Sequence, residues 1–237
     1  MKGQNDGIGA YQMDNGDLRV FINHEGPYAC ESAAATVSEL IIDKSKLALA
    51  INNAIADENG LTGGIQFIKS MGKAYDTYRT KEGVISSIDE SRFIYFCSGQ
   101  VHEPNTFGPN MGFVDRVYIF GEEVANGRIF ALANKTLHMI SGVGSGNAAA
   151  LQGGTNGFGF DALENAAMVS TGEENHVALF LSPDYGSQTL RMYIGKKGFG
   201  TDGKSCGTCA GDENYLARNG LGEIIFLSLC CFSLMST

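Results

Sequence analysis

Short apolar runs separated by glycine-rich turns dominate this chain and constrain its fold more than any other feature. The 237 residues include 32 glycines and only 4 prolines, and residues of this kind mark the turns between strands. The strand-like runs are 17–25, 36–43, 92–99, 115–123, 127–133, 165–170, 175–182 and 189–197. Many short strands joined by hairpins predict an all-β protein, as a sandwich, a barrel or a propeller.

Three segments depart from this pattern. Residues 45–57 (SKLALAINNAIAD) fit either an amphipathic helix or a strand followed by a loop. Residues 142–159 are rich in glycine and predict a long surface loop. Residues 222–237 are apolar without a clear period, so we expect them to be a tail, distinct from a domain over residues 1–221.

The charge of the chain bears on its partners. The formal net charge is −9, and no cluster of lysine and arginine is present, which argues against nucleic acid. The negative charge is compatible with binding cations through carboxylates, and equally with a role in solubility alone. The N-terminal residues do not fit a signal peptide, and the apolar run at the C-terminus is too short for a typical membrane span. We therefore expect neither a membrane nor a nucleic-acid partner.

The six cysteines do not form the pattern of a disulfide-rich domain. Cys206 and Cys209 form a single C-x-x-C pair, whereas a zinc ribbon needs a second pair at a suitable spacing. A loop disulfide and two unpaired thiols both remain open for these residues.

Two of the strand-like runs resemble each other. VFINHE (20–25) and VYIFGEE (117–123) each combine an aromatic-rich strand with acidic residues at its end, and IYFCSG (94–99) is a weaker echo that ends near Cys97. Strands that deliver polar residues at the same end are typical of blades around a central channel. This echo favours a propeller among the all-β folds.

Polar side chains at the strand ends are the candidates for chemistry. They are Asn23, His24, Glu25, Cys97, Glu122, Glu123, Glu164, Glu173 and Glu174. Carboxylates that converge repel each other unless a cation or a proton intervenes. Oxygen ligands suit Ca²⁺, Mg²⁺ or Mn²⁺, and a thiolate suits iron or zinc. Each residue also fits a structural role, as a solvated strand end, an exposed turn or a small buried hydrophobe.

Several segments together resemble the PhoX-type alkaline phosphatase family. They are DGIGAYQMDNGDLRVFINHE (6–25), FCSG (96–99), DRVYIFGEE (115–123), ENAAMVS (164–170) and YLARNGL (215–221), so the resemblance extends over residues 6–221. It implies a six-bladed β-propeller with iron and calcium at the mouth of its channel, and hydrolysis of small-molecule phosphate monoesters. The chain has Gly121 and Leu163 where the family pattern has cysteine and histidine.

The resemblance also implies roles for individual residues. Glu25, Cys97 and Glu164 would be catalytic metal ligands, with Cys97 as a thiolate bridging iron. Glu122 or Glu123 would carry over as a further ligand. Asn23 and His24 would orient Glu25 or contact the substrate.

The remaining expectations concern the whole molecule. About 215 usable residues at about 40–50 per blade give roughly four to five blades, so we expect an incomplete ring. The family is exported, which implies an extracellular or periplasmic location, and we expect a monomer. A calcium-binding module without catalysis and an inactive fragment are the alternatives to a phosphatase.

Overall fold

The computed structural model describes residues 4–26, 34–57, 60, 62–80, 83–85, 93–124, 127–141, 163–183, 191–200, 203–222 and 225–228. The strands within these ranges are β1 (Gln4–Gln12), β2 (Leu18–Glu25), β3 (Thr36–Ile42), β4 (Ile68–Lys73), β5 (Thr77–Thr80), β6 (Gly83–Ile85), β7 (Phe96–His102), β8 (Val117–Glu122), β9 (Ile129–Ala133), β10 (Thr136–Ser141), β11 (Leu163–Val169), β12 (His176–Pro183), β13 (Arg191–Lys196) and β14 (Ile225–Ser228). Two α-helices, α1 (Lys44–Ala56) and α2 (Tyr215–Arg218), accompany them. The described fold is all-β, as the sequence predicts.

The strands form three sheets in chain order. The first sheet has the order β1-β2-β3-β4, and the third has the order β11-β12-β13-β14. The second sheet has the order β6-β5-β10-β9-β8-β7, in which β7 to β10 form an antiparallel meander and β5 pairs parallel with β10. Each sheet therefore contains a run of four consecutive strands that go up and down.

Seven of the eight predicted strands match observed strands to within two residues at each end, whereas the strand predicted at 92–99 is β7, which begins at Phe96 and ends at His102. The ambiguous segment 45–57 is a helix. The turn before β2 closes with the amide of Gly16 donating to the carbonyl of Met13 at 2.9 Å. Helix α1 begins after Asp43, whose carboxylate accepts a hydrogen bond from the amide of Lys46 at 3.0 Å and caps the helix. The glycine-rich segment 142–159 lies outside the described residues.

Two of the remaining predictions concern the C-terminal third of the chain. Cys206 and Cys209 form a disulfide, with their Cα atoms 5.0 Å apart. Ile225–Ser228 pairs antiparallel with β13, so these four residues of the expected tail belong to the third sheet. No helix in the described part of the chain has the length and the apolar character needed to cross a membrane.

The sheets pack face to face through two apolar clusters. Between the first and second sheets, Phe21 stacks on Tyr118 with ring centroids 4.9 Å apart. Between the second and third sheets, Val117 and Ile119 pack in one cluster with Leu179. Because side chains alternate along a strand, β8 presents Tyr118 to the first sheet and Val117 and Ile119 to the third.

Three edge strands, β1, β7 and β11, each begin one of the four-strand meanders, and they lie side by side, since β7 contacts both β1 and β11. Each of them has a register irregularity near its N-terminal end, between Asn5 and Ile8, between Cys97 and Gln100, and between Leu163 and Asn165. Such bulges redirect side chains and are common beside functional sites. They gather polar residues of three strands at one end of the sheets.

Candidate metal centre

Cys97 lies at the centre of the gathered polar residues. It is the second residue of β7 and its side chain is fully buried. Its Sγ lies 3.3 Å from Oε1 of Glu25 and 2.8 Å from Oε2 of Glu123. Glu25 belongs to the first sheet, and Glu123 directly follows β8 of the second sheet. The thiol therefore lies between carboxylates from two sheets.

Asp6 completes a first group with Glu25 and Cys97. One ligand atom from each of these three residues lies within 4.8 Å of the others. Asp6 sits in the bulge of β1 and is exposed, and its Oδ1 accepts a hydrogen bond from the amide of Ser98 at 3.4 Å. The bulges of β1 and β7 thus meet directly at this group.

Glu123 and Glu164 form a second group with the same thiol. One ligand atom from each of Cys97, Glu123 and Glu164 again lies within 4.8 Å of the others. Glu164 lies at the irregularity of β11, and both glutamates are partly exposed. Cys97 is therefore shared by two groups of possible ligands.

The two groups repeat one arrangement from sheet to sheet. Glu25, at the end of β2, faces Cys97 on β7, the edge strand of the second sheet. Glu123, directly after β8, lies near Glu164, which belongs to β11 of the third sheet. The glutamates that end the similar runs 20–25 and 117–123 therefore each face the edge strand of the following sheet.

Glu122 is not brought into either group. Its Oε2 accepts hydrogen bonds from Nε of Arg128 at 2.7 Å and from the Arg128 amide at 3.0 Å, and its Oε1 accepts one from the amide of Ile94 at 3.0 Å. The side chain is fully buried. Neighbouring residues of an extended chain point to opposite faces, so Glu122 pairs with an arginine while Glu123 reaches the thiol.

Asn23 lies on the same face of β2 as Glu25 but is fully buried. Its Nδ2 donates to the carbonyl of Ser98 at 2.7 Å, and its Oδ1 accepts a hydrogen bond from the hydroxyl of Tyr118 at 3.0 Å. An amide engaged at both ends holds β2 against β7. This burial favours a role in positioning Cys97 over the predicted contact with substrate.

His24 points to the opposite face of β2. Its Nε2 lies 2.7 Å from Oγ of Ser38 on β3, and the ring is 1% exposed. Burial lowers the pKa of His24 below its ordinary value. A neutral histidine bonded inside the first sheet does not favour the predicted substrate contact.

The electrostatics of the centre follow from its burial. Burial raises the pKa of the Cys97 thiol, and hydrogen bonds to Glu123 and Glu25 raise it further. Burial also raises the pKa of Glu25, with Asp6 adding to the effect. Without a cation, the surroundings therefore favour a protonated thiol that donates to the carboxylates.

The sequence predicted most of this centre but not Asp6. Glu25, Cys97, Glu123 and Glu164 are brought together, whereas Glu173 and Glu174 lie in an exposed turn at the opposite end of β11. The signal for Asp6 is the Asp-Gly step inside β1, because such a pair suits a bulge.

Comparison with known proteins does not assign the chain to a family. No protein-family model, no curated protein and no solved structure matches it. The resemblance to PhoX-type phosphatases stays a prediction from the quoted residues.

Proposed function

We propose that this chain is a metal-dependent phosphomonoesterase of PhoX type with its centre at Cys97. The observation that carries this proposal is the position of one buried thiol between two pairs of carboxylates, Asp6 with Glu25 and Glu123 with Glu164. A thiolate between two sets of oxygen ligands suits a site with more than one ion, because thiolates and carboxylates prefer different metals.

The proposed scaffold is a β-propeller. Three antiparallel meanders of four strands follow each other along the chain, and their first strands are adjacent, as in blades around a channel. The carboxylates and Cys97 lie at one end of those first strands, where a channel would open.

The donor set fits iron and calcium. Asp6 and Glu25 would hold an ion on one side of Cys97, and Glu123 and Glu164 would hold one on the other. Ligand atoms within 4.8 Å of one another suit ions bound at about 2.0–2.6 Å. When bound, such metals would neutralise the phosphate oxygens and lower the pKa of a coordinated water.

The residues of the chain have separate tasks in this proposal. Cys97 would give up its proton on metal binding, because a nearby cation reverses the pKa shift that burial produces. Asn23 would fix the backbone beside Cys97 through its bond to Ser98. Asp6, exposed at the edge of the centre, would lie where a phosphate ester approaches.

Elemental analysis and hydrolysis of p-nitrophenyl phosphate on one purified sample test the proposal. We expect bound iron and calcium with turnover in the wild-type chain, and loss of iron and turnover in Cys97→Ser. Glu123→Gln should behave like Cys97→Ser, whereas Glu173→Gln, at an exposed glutamate outside both groups, should match wild type. Wild-type turnover in Cys97→Ser would refute the role of the thiolate.

A calcium-binding module without catalysis is the second candidate, because the two groups contain four carboxylates. Oxygen ligands alone suffice for calcium. In this case Cys97→Ser would keep its calcium, and Glu123→Gln would bind calcium more weakly than wild type. Neither wild type nor any variant would hydrolyse a phosphate ester.

A further inference from the structure

A second site lies between the first and second sheets, at the opposite end of the strands from Cys97. It is a cavity of about 420 Å³, lined among others by Tyr11, Arg19, Arg116 and Lys135. Tyr11 and Arg19 lie at the β1–β2 turn end of the first sheet, and Arg116 directly precedes β8. Cavities of this size suit small molecules.

The charges around this cavity are unequally satisfied. Glu39 is paired with Arg19 at 3.2 Å and with Lys135 at 2.9 Å. Asp115 is paired with Arg218 at 2.8 Å, so both carboxylates of the lining are already neutralised. Arg116 is in turn paired with Glu103 at 2.9 Å. Because Glu39 is shared by two cations, the four cations of these pairs face three carboxylates, which leaves an excess of one positive charge.

Arg116 lines the cavity and keeps hydrogen-bond donors that its pairing with Glu103 does not use. Its Cζ lies 4.0 Å from the centre of the Tyr11 ring, so the guanidinium packs against the ring. Only its Nε bonds to Glu103, at 2.9 and 3.0 Å, and its two Nη atoms make no hydrogen bond within the described part of the chain. A guanidinium held on a ring presents a planar fork that fits carboxylate and phosphate groups.

Apolar side chains form another part of the same wall. Phe21, Val101 and Leu132 contribute to the lining. Tyr215 also lines the cavity, and its buried hydroxyl has no hydrogen-bond partner among the described residues. A ligand with an apolar body and one anionic group would satisfy both kinds of surface.

We propose that this cavity binds a small organic anion, a carboxylate or a phosphate monoester, through the Nη atoms of Arg116. The apolar body of the ligand contacts Phe21, Val101 and Leu132. The site is separate from the Cys97 centre, and it does not depend on metal or on the proposed phosphatase activity.

Calorimetric titration of the full chain with benzoate and with phenyl phosphate, after EDTA treatment and removal of the EDTA by desalting, tests this proposal. EDTA removes binding of phosphate through metals at the Cys97 centre. We expect saturable binding of at least one probe, and the probe that binds more tightly identifies the carboxylate or the phosphate as the preferred group. Arg116→Met should weaken it at least about tenfold, which is about 1.4 kcal/mol.

Two further variants keep the test decisive. Lys196→Met removes a different cation over a ring, since Nζ of Lys196 lies 4.2 Å from the centroid of Phe199, and it should bind like wild type. Arg116→Lys keeps the charge but loses the fork, so we expect weakened binding in a folded protein. No saturable binding by wild type, unchanged affinity in Arg116→Met, or equal loss in Lys196→Met would each overturn the proposal.

Discussion

Nδ2 of Asn23 lies 2.7 Å from the carbonyl oxygen of Ser98, so a side chain of the first sheet holds the backbone beside Cys97 in the second. Ser98 lies in the bulge of β7 with a φ of 33°, which is uncommon for a residue with a side chain. The geometry of the candidate centre therefore depends on contacts between sheets rather than on β7 alone.

Asn23→Leu should destabilise the protein and disturb the centre. The change leaves the carbonyl of Ser98 and the hydroxyl of Tyr118 without this partner, and an unsatisfied buried group costs about 1–3 kcal/mol. We expect the free energy of unfolding in urea to fall by about 2–4 kcal/mol, with weaker metal retention. Tyr118→Phe, which removes one hydroxyl, should cost about 1 kcal/mol. Equal stability of Asn23→Leu and wild type would contradict this role.

Gly7→Ala should destabilise the contact between β1 and β7. A Cβ on Gly7 would overlap the backbone of Ser98, and backbone atoms cannot rotate away as a side chain can. We expect a loss of about 1–3 kcal/mol in the free energy of unfolding, measured by urea denaturation. Gly72→Ala is the matched control, since a Cβ on Gly72 of β4 meets nothing within 4 Å. Similar losses in both variants would show that the close approach at Gly7 has no special importance.

The same close approach explains why the sequence did not predict β1. Its residues, QNDGIGAYQ, contain two glycines and several polar side chains, which argue against a strand. A Cβ on Gly9 would collide with the ring of Tyr118, so the glycines are required by the neighbouring sheet. Requirements set by a distant strand cannot be read from local periodicity. Strands β2, β3 and β12, in contrast, are predicted by the pattern of apolar residues in their own sequences.

The candidate site shows the same limit. Glu25, Cys97, Glu123 and Glu164 could be named because polar residues stood at the ends of recognisable strands. Matching VFINHE to VYIFGE from their first valines aligns Glu25 with Glu122. In the structure, however, Glu123 is the residue that reaches Cys97. Which of the two neighbouring glutamates points towards the thiol depends on how the sheets pack, and the sequence alignment does not contain that information.

Glu122→Gln and Glu123→Gln should have opposite effects on stability and metal binding. Glu122 is buried against Arg128, and removing one partner of a buried pair costs about 3–5 kcal/mol. We expect Glu122→Gln to lose stability in urea but to keep the metal content of the folded protein. Glu123 is partly exposed, so Glu123→Gln should change stability by less than about 1 kcal/mol and should lose metal. The reverse pattern would assign the ligand to Glu122.

Stability should depend on pH through His102, which lies at the end of β7 with its ring edge against Phe113 at a centroid distance of 5.7 Å. Burial lowers the pKa of His102 from 6.5 to about 4. Between these values the unfolded chain binds a proton that the native protein does not, so stability falls as the pH drops from 6.5 towards 4. The full effect is about 3 kcal/mol.

His102→Asn removes this titration while leaving a polar group at the position. Urea denaturation of wild type and His102→Asn at about pH 7 and about pH 4.5 isolates the contribution of His102. We expect the variant to be less stable at the higher pH because it loses packing against Phe113. The difference in the free energy of unfolding between wild type and the variant should shrink by about 2–3 kcal/mol at the lower pH. Only wild type loses the contribution of the histidine there. A deficit that is the same at both pH values would show that His102 does not titrate with the lowered pKa.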